Sequence, residues 1–166
     1  MNKKLILVAI VLLAGITGWL LHHFSDREVI KRKFNSVAVG LSKQGEETPV
    51  ALALKMRPVK DFIAPSCRVI VPETNYQEAL EPELIIRYLM LYRSRQSSLQ
   101  IALDEILVDI PGKGLAEVSA LVHITANPDQ PDFFDEVHPL TFSLHKEEKK
   151  WLLHKTTLPG ALVHGH

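Results

Sequence analysis

Apolar and polar residues alternate through four long runs between Ser98 and Leu158, and this pattern constrains the fold more than any other feature. Side chains of a β-strand point alternately to its two faces, so these runs predict strands with one apolar and one polar face. The turns "PGKG" and "KEEKK" are short enough to join antiparallel neighbours. We therefore expect a meander of long antiparallel strands, with one face packed against the rest of the chain.

The run that starts at Ser98 changes its facing pattern at Asp104-Glu105, because its apolar residues follow one phase before this pair and the opposite phase after it. A strand of this length would extend about 40 Å at about 3.3 Å per residue, so it must bend to stay on a compact core. A β-bulge provides such a bend by inserting one unpaired residue, which reverses the facing pattern. We predict a bulge at Asp104-Glu105, and the alternative is a pair of acid–base catalysts.

Helices are predicted ahead of the long strands. The first begins at Ser25 or Asp26, either of which can cap a helix. The second begins at Thr48, and Pro58 is expected to kink or end it. A short strand, "CRVIVP", separates it from a third helix that begins near Pro82.

The third helix carries an apolar stripe at helical spacing, which we expect to be buried. The stripe consists of Leu84, Ile85, Tyr88, Leu89 and Tyr92. The arginines of this helix are expected to lie on its solvated side and in its last turn, where positive charge suits the helix dipole. These arginines are Arg87, Arg93 and Arg95.

An uncharged, mainly apolar run, Leu5–Leu21, follows Lys3 and Lys4. Its length is close to the roughly 17–25 residues that cross a membrane as a helix, whereas the apolar core of a cleaved signal peptide is typically about 7–15 residues. We predict an uncleaved signal anchor over residues 1–24. Basic residues follow the run as well, so the positive-inside rule is ambiguous. The short N-terminal region favours a single-pass protein of the inner or plasma membrane, with its domain outside the cytoplasm, which in a bacterium is the periplasm.

The charges of the chain balance, with 19 basic and 19 acidic residues. A nucleic-acid-binding protein usually has a basic excess that neutralises phosphates, so we exclude nucleic acid as a partner. Cys67 is the one cysteine, which excludes an internal disulfide and a cysteine-based zinc cluster. Because it lies in an apolar, strand-like stretch, we expect a buried thiol rather than a nucleophile.

The order of these elements, closed by the charged turn and the Trp-led strand of "KEEKKWLLHKTTL", resembles the NTF2-like (cystatin-like, SnoaL-like) superfamily from Asp26 to Leu158. The resemblance implies an α+β fold in which three helices pack on a strongly bent antiparallel sheet, as a half-open cone. The domain would span residues 25–160, with a tail at 161–166. The superfamily includes isomerases, dehydratases, non-enzymatic subunits and membrane-tethered subunits of type IV secretion systems, so the fold does not define the function.

No motif in the chain identifies an active site. Enzymes of the superfamily commonly place an Asp or His inside the cone, where burial raises the pKa of a carboxyl group. The candidates for such a role are Asp104, Glu105 and His123, although His123 is out of phase with its apolar neighbours and is expected to be exposed or at an interface. Tyr88 and Tyr92 are the candidates for binding a ligand near the mouth of the cone.

The last hairpin is predicted to have an apolar inner face and a polar outer face. The inner set is Leu140, Phe142, Leu144, Trp151 and Leu153, and the outer set is Thr141, Ser143, His145, His154 and Thr156. His145 and His154 would be diagonal neighbours and are the candidates for a metal site. Two imidazoles without a third ligand make a poor zinc site, so we expect no metal and no other cofactor.

Two functions are open. The first is a non-enzymatic, membrane-anchored domain that mediates protein assembly or binds a small ligand, with the outer sheet face available for a homodimer or for a partner in a membrane complex. The second is an enzyme of the isomerase or dehydratase type that acts on a small apolar substrate in the cone. We favour the first, because the predicted cone is lined by apolar residues without an evident acid–base cluster.

Overall fold

The computed structural model describes residues 10–18 and 25–164. The helices in this part of the chain are α1 (10–18), α2 (Asp26–Leu41), α3 (Pro49–Phe62), α4 (Pro82–Arg95) and α5 (Gly160–His164). The strands are β1 (Lys43–Gln44), β2 (Ile63–Val71), β3 (Tyr76–Leu80), β4 (Ser98–Gly112), β5 (Leu115–Ala126), β6 (Phe134–Glu147) and β7 (Lys150–Thr157). The predicted α+β order, with helices ahead of four long strands, is confirmed.

Among the described residues, seven strands form one sheet in the order β1-β4-β5-β6-β7-β2-β3. Neighbouring strands are antiparallel except β2 and β7, which are parallel. Strands β1 and β3 were not predicted, because two and five residues give too little alternation to recognise. Strand β2 starts at Ile63, earlier than the predicted "CRVIVP" segment.

Strand β4 contains the predicted bulge. Asp104 pairs with Leu121 and Leu107 pairs with Ser119, so two residues of β4 oppose one residue of β5. Glu105 has a φ of 51°, a left-handed conformation that is uncommon for a residue other than glycine. The bulge reverses the facing pattern, so that apolar residues on both sides of it face the helices.

A register shift in the last hairpin corrects one predicted face. Between Ser143 and Leu144 the pairing of β6 with β7 skips one residue of β7. Thr156 therefore lies opposite Phe142 on the inner face and is 7% exposed, so its predicted outer position is wrong. The predicted inner position of Trp151 is confirmed, since its indole is 1% exposed.

The main core lies between the inner face of the sheet and helices α2 and α3. Its fully buried members are Ile30, Phe34, Phe62, Ala116, Val118, Leu144 and Trp151. At the edge of this core, Asp26 Oδ1 accepts hydrogen bonds from Lys146 Nζ at 2.6 Å and from Trp151 Nε1 at 3.0 Å. The bond from Lys146 is the main reason that the pKa of Asp26 is lowered. The start of α2 is thereby joined to the β6–β7 hairpin.

Helices α2 and α3 begin at the predicted caps. The side chain of Ser25 accepts a hydrogen bond from the amide of Glu28, and that of Thr48 accepts one from the amide of Ala51. Helix α3 continues through Pro58 to Phe62, so this proline does not end the helix, and the kink that was the other expectation stays a prediction. Its buried face, Met56, Val59 and Phe62, holds the helix against the core beyond the proline.

Helix α4 is less buried than predicted, because Tyr88 is 56% exposed and the other four members of the predicted stripe are only partly buried. Arg93, predicted to be solvated, is instead 4% exposed. Its guanidinium donates to the carbonyl oxygens of Leu41 at 3.1 Å and Ser42 at 2.9 Å, and to the carboxylate of Glu47. The last carbonyl groups of a helix have no intrahelical hydrogen-bond donors. The guanidinium of Arg93 supplies donors to these groups at the end of α2, and this contact is why the predicted solvated position is wrong.

The predicted membrane segment Leu5–Leu21 falls only partly within the described residues, since residues 1–9 and 19–24 lie outside them. Within 10–18 the large apolar side chains are exposed, namely Ile10, Val11, Leu12, Leu13 and Ile16. In the described ranges, no helix is both long enough and apolar enough to cross a membrane. The structure therefore gives no support for the anchor, which stays a prediction.

Candidate functional site

The inner face of the sheet carries a polar pair on β6, His138 and Glu136, which we call the inner pair. His138 lies opposite Val122 and Glu136 lies opposite Ile124, and both of these β5 residues are buried. Directly opposed residues share a face, so the inner pair faces the helices. His138 Nε2 is 2.7 Å from Glu136 Oε2. The two side chains are 13% and 32% exposed, which leaves the pair in reach of solvent.

Apolar side chains surround the inner pair. The buried members of this second cluster are Leu99, Val122, Ile124, Ala126 and Leu140, and its partly buried members include Tyr92, Ile101, Phe134, Leu158 and Leu162. Burial raises the pKa of Tyr92, and the charge of Glu136 raises it further. The phenol therefore stays protonated at neutral pH and provides a hydrogen-bond donor near the inner pair.

The inner pair has the chemistry to hold one polar group of an otherwise apolar molecule. An ionised carboxylate only accepts hydrogen bonds, so the Nε2 of a neutral His138 carries the proton that Glu136 accepts. The other ring nitrogen, Nδ1, is then the acceptor, and it can bind a hydroxyl group or take a proton from one. The carboxylate also stabilises the imidazolium that such a transfer would form.

Comparisons by sequence find no relatives: no protein-family model matches the chain, and no curated protein matches it. Solved structures do share its fold. The Kfla4162 protein from Kribbella flavida gives a TM-score of 0.66 at 15% identity, covering 81% of this chain and 90% of that one. A dehydratase-like protein of the NTF2-like family from Streptomyces avermitilis gives 0.61 at 11% identity, covering 81% and 95%. The association domain of C. elegans CaMKII gives 0.53 at 10% identity, covering 78% and 88%.

This chain has the NTF2-like fold. The predicted resemblance is confirmed for the architecture, with helices packed on a bent sheet. Identities of this size establish the fold alone, so the activities of the similar proteins do not transfer by likeness.

The NTF2-like fold does not bring the predicted acid–base candidates to the inner pair. Asp104 and Glu105 lie at the bulge of β4, on the far side of β5 from the inner pair. His123 lies on the outer face of the sheet, where its Nε2 is 2.5 Å from Asp135 Oδ1. Thr125 also donates to that oxygen, at 2.9 Å. The bond with His123 is the main reason that the pKa of Asp135 is lowered.

The two candidate tyrosines of α4 separate, because Tyr92 packs against the cluster around the inner pair and Tyr88 is 56% exposed. The sequence did contain a signal for the inner pair. In "FDEVHPLTF" Glu136 and His138 share the phase of Leu140, whereas the predicted inner face began only at Leu140.

The candidate metal ligands are neighbours, as predicted. The rings of His145 and His154 stack with centroids 4.2 Å apart, and Glu147 Oε1 lies 2.6 Å from His154 Nε2. Within residues 10–18 and 25–164, no group of three or more His, Cys, Asp or Glu side chains could hold a metal ion. Cys67 is fully buried, which raises the pKa of its thiol to about 11, and this agrees with the predicted unreactive thiol.

Proposed function

We propose that this NTF2-like domain binds a small, largely apolar molecule at its inner face, with the inner pair as the polar contact. The observation that carries the proposal is the histidine–carboxylate hydrogen bond, which faces a surface otherwise lined by apolar side chains. The hydrogen bond within the pair offsets the cost of its partial burial, and the second ring nitrogen of His138 can accept a hydrogen bond from a ligand. A ligand hydroxyl or carbonyl group would complete the hydrogen bonding of the imidazole and of Tyr92.

An enzymatic extension of this proposal uses the same atoms. A histidine oriented by a carboxylate is suited to proton transfer, which both isomerases and dehydratases require. One of the fold neighbours is a dehydratase-like protein, and its likeness is consistent with this extension. Binding is the function that we propose first, because it needs only the groups already described.

Native mass spectrometry of the full chain, purified in a mild non-ionic detergent, tests the proposal through a co-purifying small molecule. We expect the wild type to retain the molecule and His138→Leu to lose it. The matched control is His123→Leu, which removes an imidazole that is also paired with a carboxylate but lies on the outer face. Equal retention by His138→Leu, or an empty wild type, would contradict the proposal.

A second candidate function is assembly through the outer sheet face. Large apolar side chains are exposed there on three strands: Leu107 (68%), Leu115 (46%) and Val137 (53%). Association would cover them, and a CaMKII association domain is among the fold neighbours. We propose a homodimer or a membrane-complex partner on this face. Analytical ultracentrifugation should show a dimer that Val137→Asp dissociates, whereas a monomeric wild type would contradict this candidate.

We also propose that Leu5–Leu21 holds the domain at the inner or plasma membrane, on its extracytoplasmic side. The exposed apolar side chains of residues 10–18 support this, because lipid would cover them. Alkaline carbonate extraction should leave the full chain in the membrane fraction. Protease added to intact spheroplasts should then digest the domain, and protection from it would contradict the orientation.

A further inference from the structure

A groove between α2 and α3 has a composition that the proposed function does not explain. It encloses about 320 Å³ and is lined by Lys33, Ser36, Arg57, Pro58, Asp61 and Phe62. Its residues come from the two helices, whereas the inner pair belongs to β6. The groove is therefore a separate site, and it has to be explained by its own charges.

The ammonium group of Lys33 is the unusual feature of this groove. The side chain is half-buried, and its Nζ lies 5.7 Å from the centroid of the Phe62 ring. Within the described part of the chain it makes no hydrogen bond or ion pair, so its three N–H donors can bind an anion. Burial lowers the pKa of Lys33, the neighbouring charge of Lys150 lowers it further, and Asp61 partly opposes both.

The charges around the groove are unbalanced. Of the lining residues, Lys33 and Arg57 are cationic and Asp61 is the carboxylate, which leaves an excess of one positive charge, and Lys150 adds a further positive charge near Lys33. Arg57 Nε is 3.7 Å from Asp61 Oδ2, and both side chains are mostly exposed, so this pair is weak. An anion in the groove would give Lys33 a partner and relieve its repulsion by Lys150.

We propose that this groove binds a phosphate group, carried by a free phosphate ester or by an anionic lipid headgroup, through Lys33 and Arg57, with the charge of Lys150 adding to the attraction. A phosphate monoester has between one and two negative charges at neutral pH and several acceptor oxygens, which suits the ammonium group of Lys33, the guanidinium of Arg57 and the nearby charge of Lys150. The hydroxyl of Ser36 adds a neutral donor at the rim. Lys33 follows Asp26 by seven residues, or about 10 Å of helix, so a lipid headgroup is within reach if the proposed anchor holds the domain at the bilayer. The anion site itself does not depend on the anchor.

Native mass spectrometry of the full chain in non-ionic detergent tests the proposal with inorganic phosphate, dioctanoyl phosphatidic acid and dioctanoyl phosphatidylcholine as probes. We expect one bound phosphatidic acid, and Lys33→Gln should weaken its affinity by about tenfold, as loss of one charged hydrogen bond would. The matched control is Lys31→Gln, which makes the same charge change two residues away, at a lysine 3.7 Å from Glu28. Its affinity should stay within about twofold of the wild type.

A second variant keeps the test informative if Lys33→Gln does not fold. Lys150→Gln alters an exposed residue at the start of β7 and should weaken binding several-fold. If inorganic phosphate and phosphatidic acid both bind, the proposal holds and a free phosphate ester suffices. If phosphatidic acid alone binds, the proposal holds with a lipid headgroup as the source. Binding of neither probe, equal binding of phosphatidylcholine, or an unchanged affinity in both groove variants would overturn it.

Discussion

Replacing Arg93 by methionine would remove the cation that joins the end of α2 and the loop after it to α4. The side chain is 4% exposed and donates to two carbonyl oxygens, at 3.1 Å and 2.9 Å, and to the Glu47 carboxylate. Methionine would occupy much of the same space but supply no donor. The two carbonyl groups of Leu41 and Ser42 and one oxygen of Glu47 would lose their partner in a part of the molecule that water hardly reaches.

The size of the effect follows from these contacts. Removing one partner of a buried ion pair costs about 3–5 kcal/mol. Glu47 keeps its bond to Lys55, whose Nζ is 2.5 Å from Oε1, so we expect the lower end, about 3 kcal/mol. For a domain of roughly 140 residues the entropy of unfolding is about 0.3 kcal/mol/K near the midpoint, and the expected fall in Tm is therefore about 10 °C.

Thermal unfolding of the purified full chain, followed by circular dichroism, measures this effect. The matched control is Arg95→Met, which removes an exposed arginine from the same helical turn and should change the free energy of unfolding by less than about 0.5 kcal/mol. A fall in Tm below about 2 °C for Arg93→Met, or an equal fall for the control, would show that Arg93 does not stabilise this junction.

The pH dependence gives a second readout. A hydrogen bond from Lys55, and then contacts with Arg93, lower the pKa of Glu47. A lowered carboxyl pKa contributes stability that is present above the unfolded value, about 4.3, and is lost as the pH falls through the folded value. We expect Arg93→Met to lose less stability than the wild type on acidification across this window, because part of the Glu47 contribution is already absent.

Three further perturbations follow from the backbone and the core. Gly40→Ala should destabilise the fold by about 1–3 kcal/mol, because a Cβ at this position would lie 2.5 Å from the backbone oxygen of Lys55. Urea unfolding measures the effect. A midpoint equal to that of the wild type would contradict this close approach of α2 and α3. Glu105→Gly should stabilise the chain by up to about 1 kcal/mol, since glycine adopts the φ of 51° without steric cost. Glu105→Val should destabilise it. If the valine variant unfolded at a higher urea concentration than the glycine variant, Glu105 would not be left-handed in the bulge. Cys67 should react with a thiol reagent at pH 8 only in denaturant, because its burial raises the thiol pKa to about 11, and fast labelling of the native chain would refute this.

The features that the sequence predicted correctly are those that local periodicity determines. The strands after Ser98, the bulge at Asp104-Glu105 and the helix caps each depend on residues close together in the chain. Arg93 was misjudged because an arginine in the last turn of a helix usually lies in solvent, and its partners at Leu41 and Ser42 precede it by about fifty residues. No local pattern contains that contact.

The inner pair shows a different limit. Glu136 and His138 share the phase of Leu140, but the predicted inner face began at Leu140, and only the pairing with β5 shows that the strand continues back to Phe134 with both side chains on that face. The groove beside Lys33 could not be predicted either, because its lining comes from α2 and α3, with the charge of Lys150 nearby on β7, and these residues meet only after the helices have packed. Thr156 was misplaced because the one-residue shift in β7 leaves no mark on the alternation of the hairpin.

The bulge of β4 also has a consequence for how copies of this chain behave at high concentration. Strand β1 pairs only with Ser98 and Leu99 of β4. The next free amide on this edge of β4, that of Ile101, donates a hydrogen bond to the Ser42 hydroxyl at 3.0 Å. Farther along, one side of β4 has no strand beside it among the described residues, and such an edge can recruit a strand from another molecule and start aggregation. The two adjacent carboxylates and the bend lie on this open stretch, so a second copy aligned against it would meet a distorted backbone and like charges. The interruption that lets the strand curve around the core thereby disfavours edge-to-edge pairing of two copies, and it leaves the outer face of the sheet free to associate.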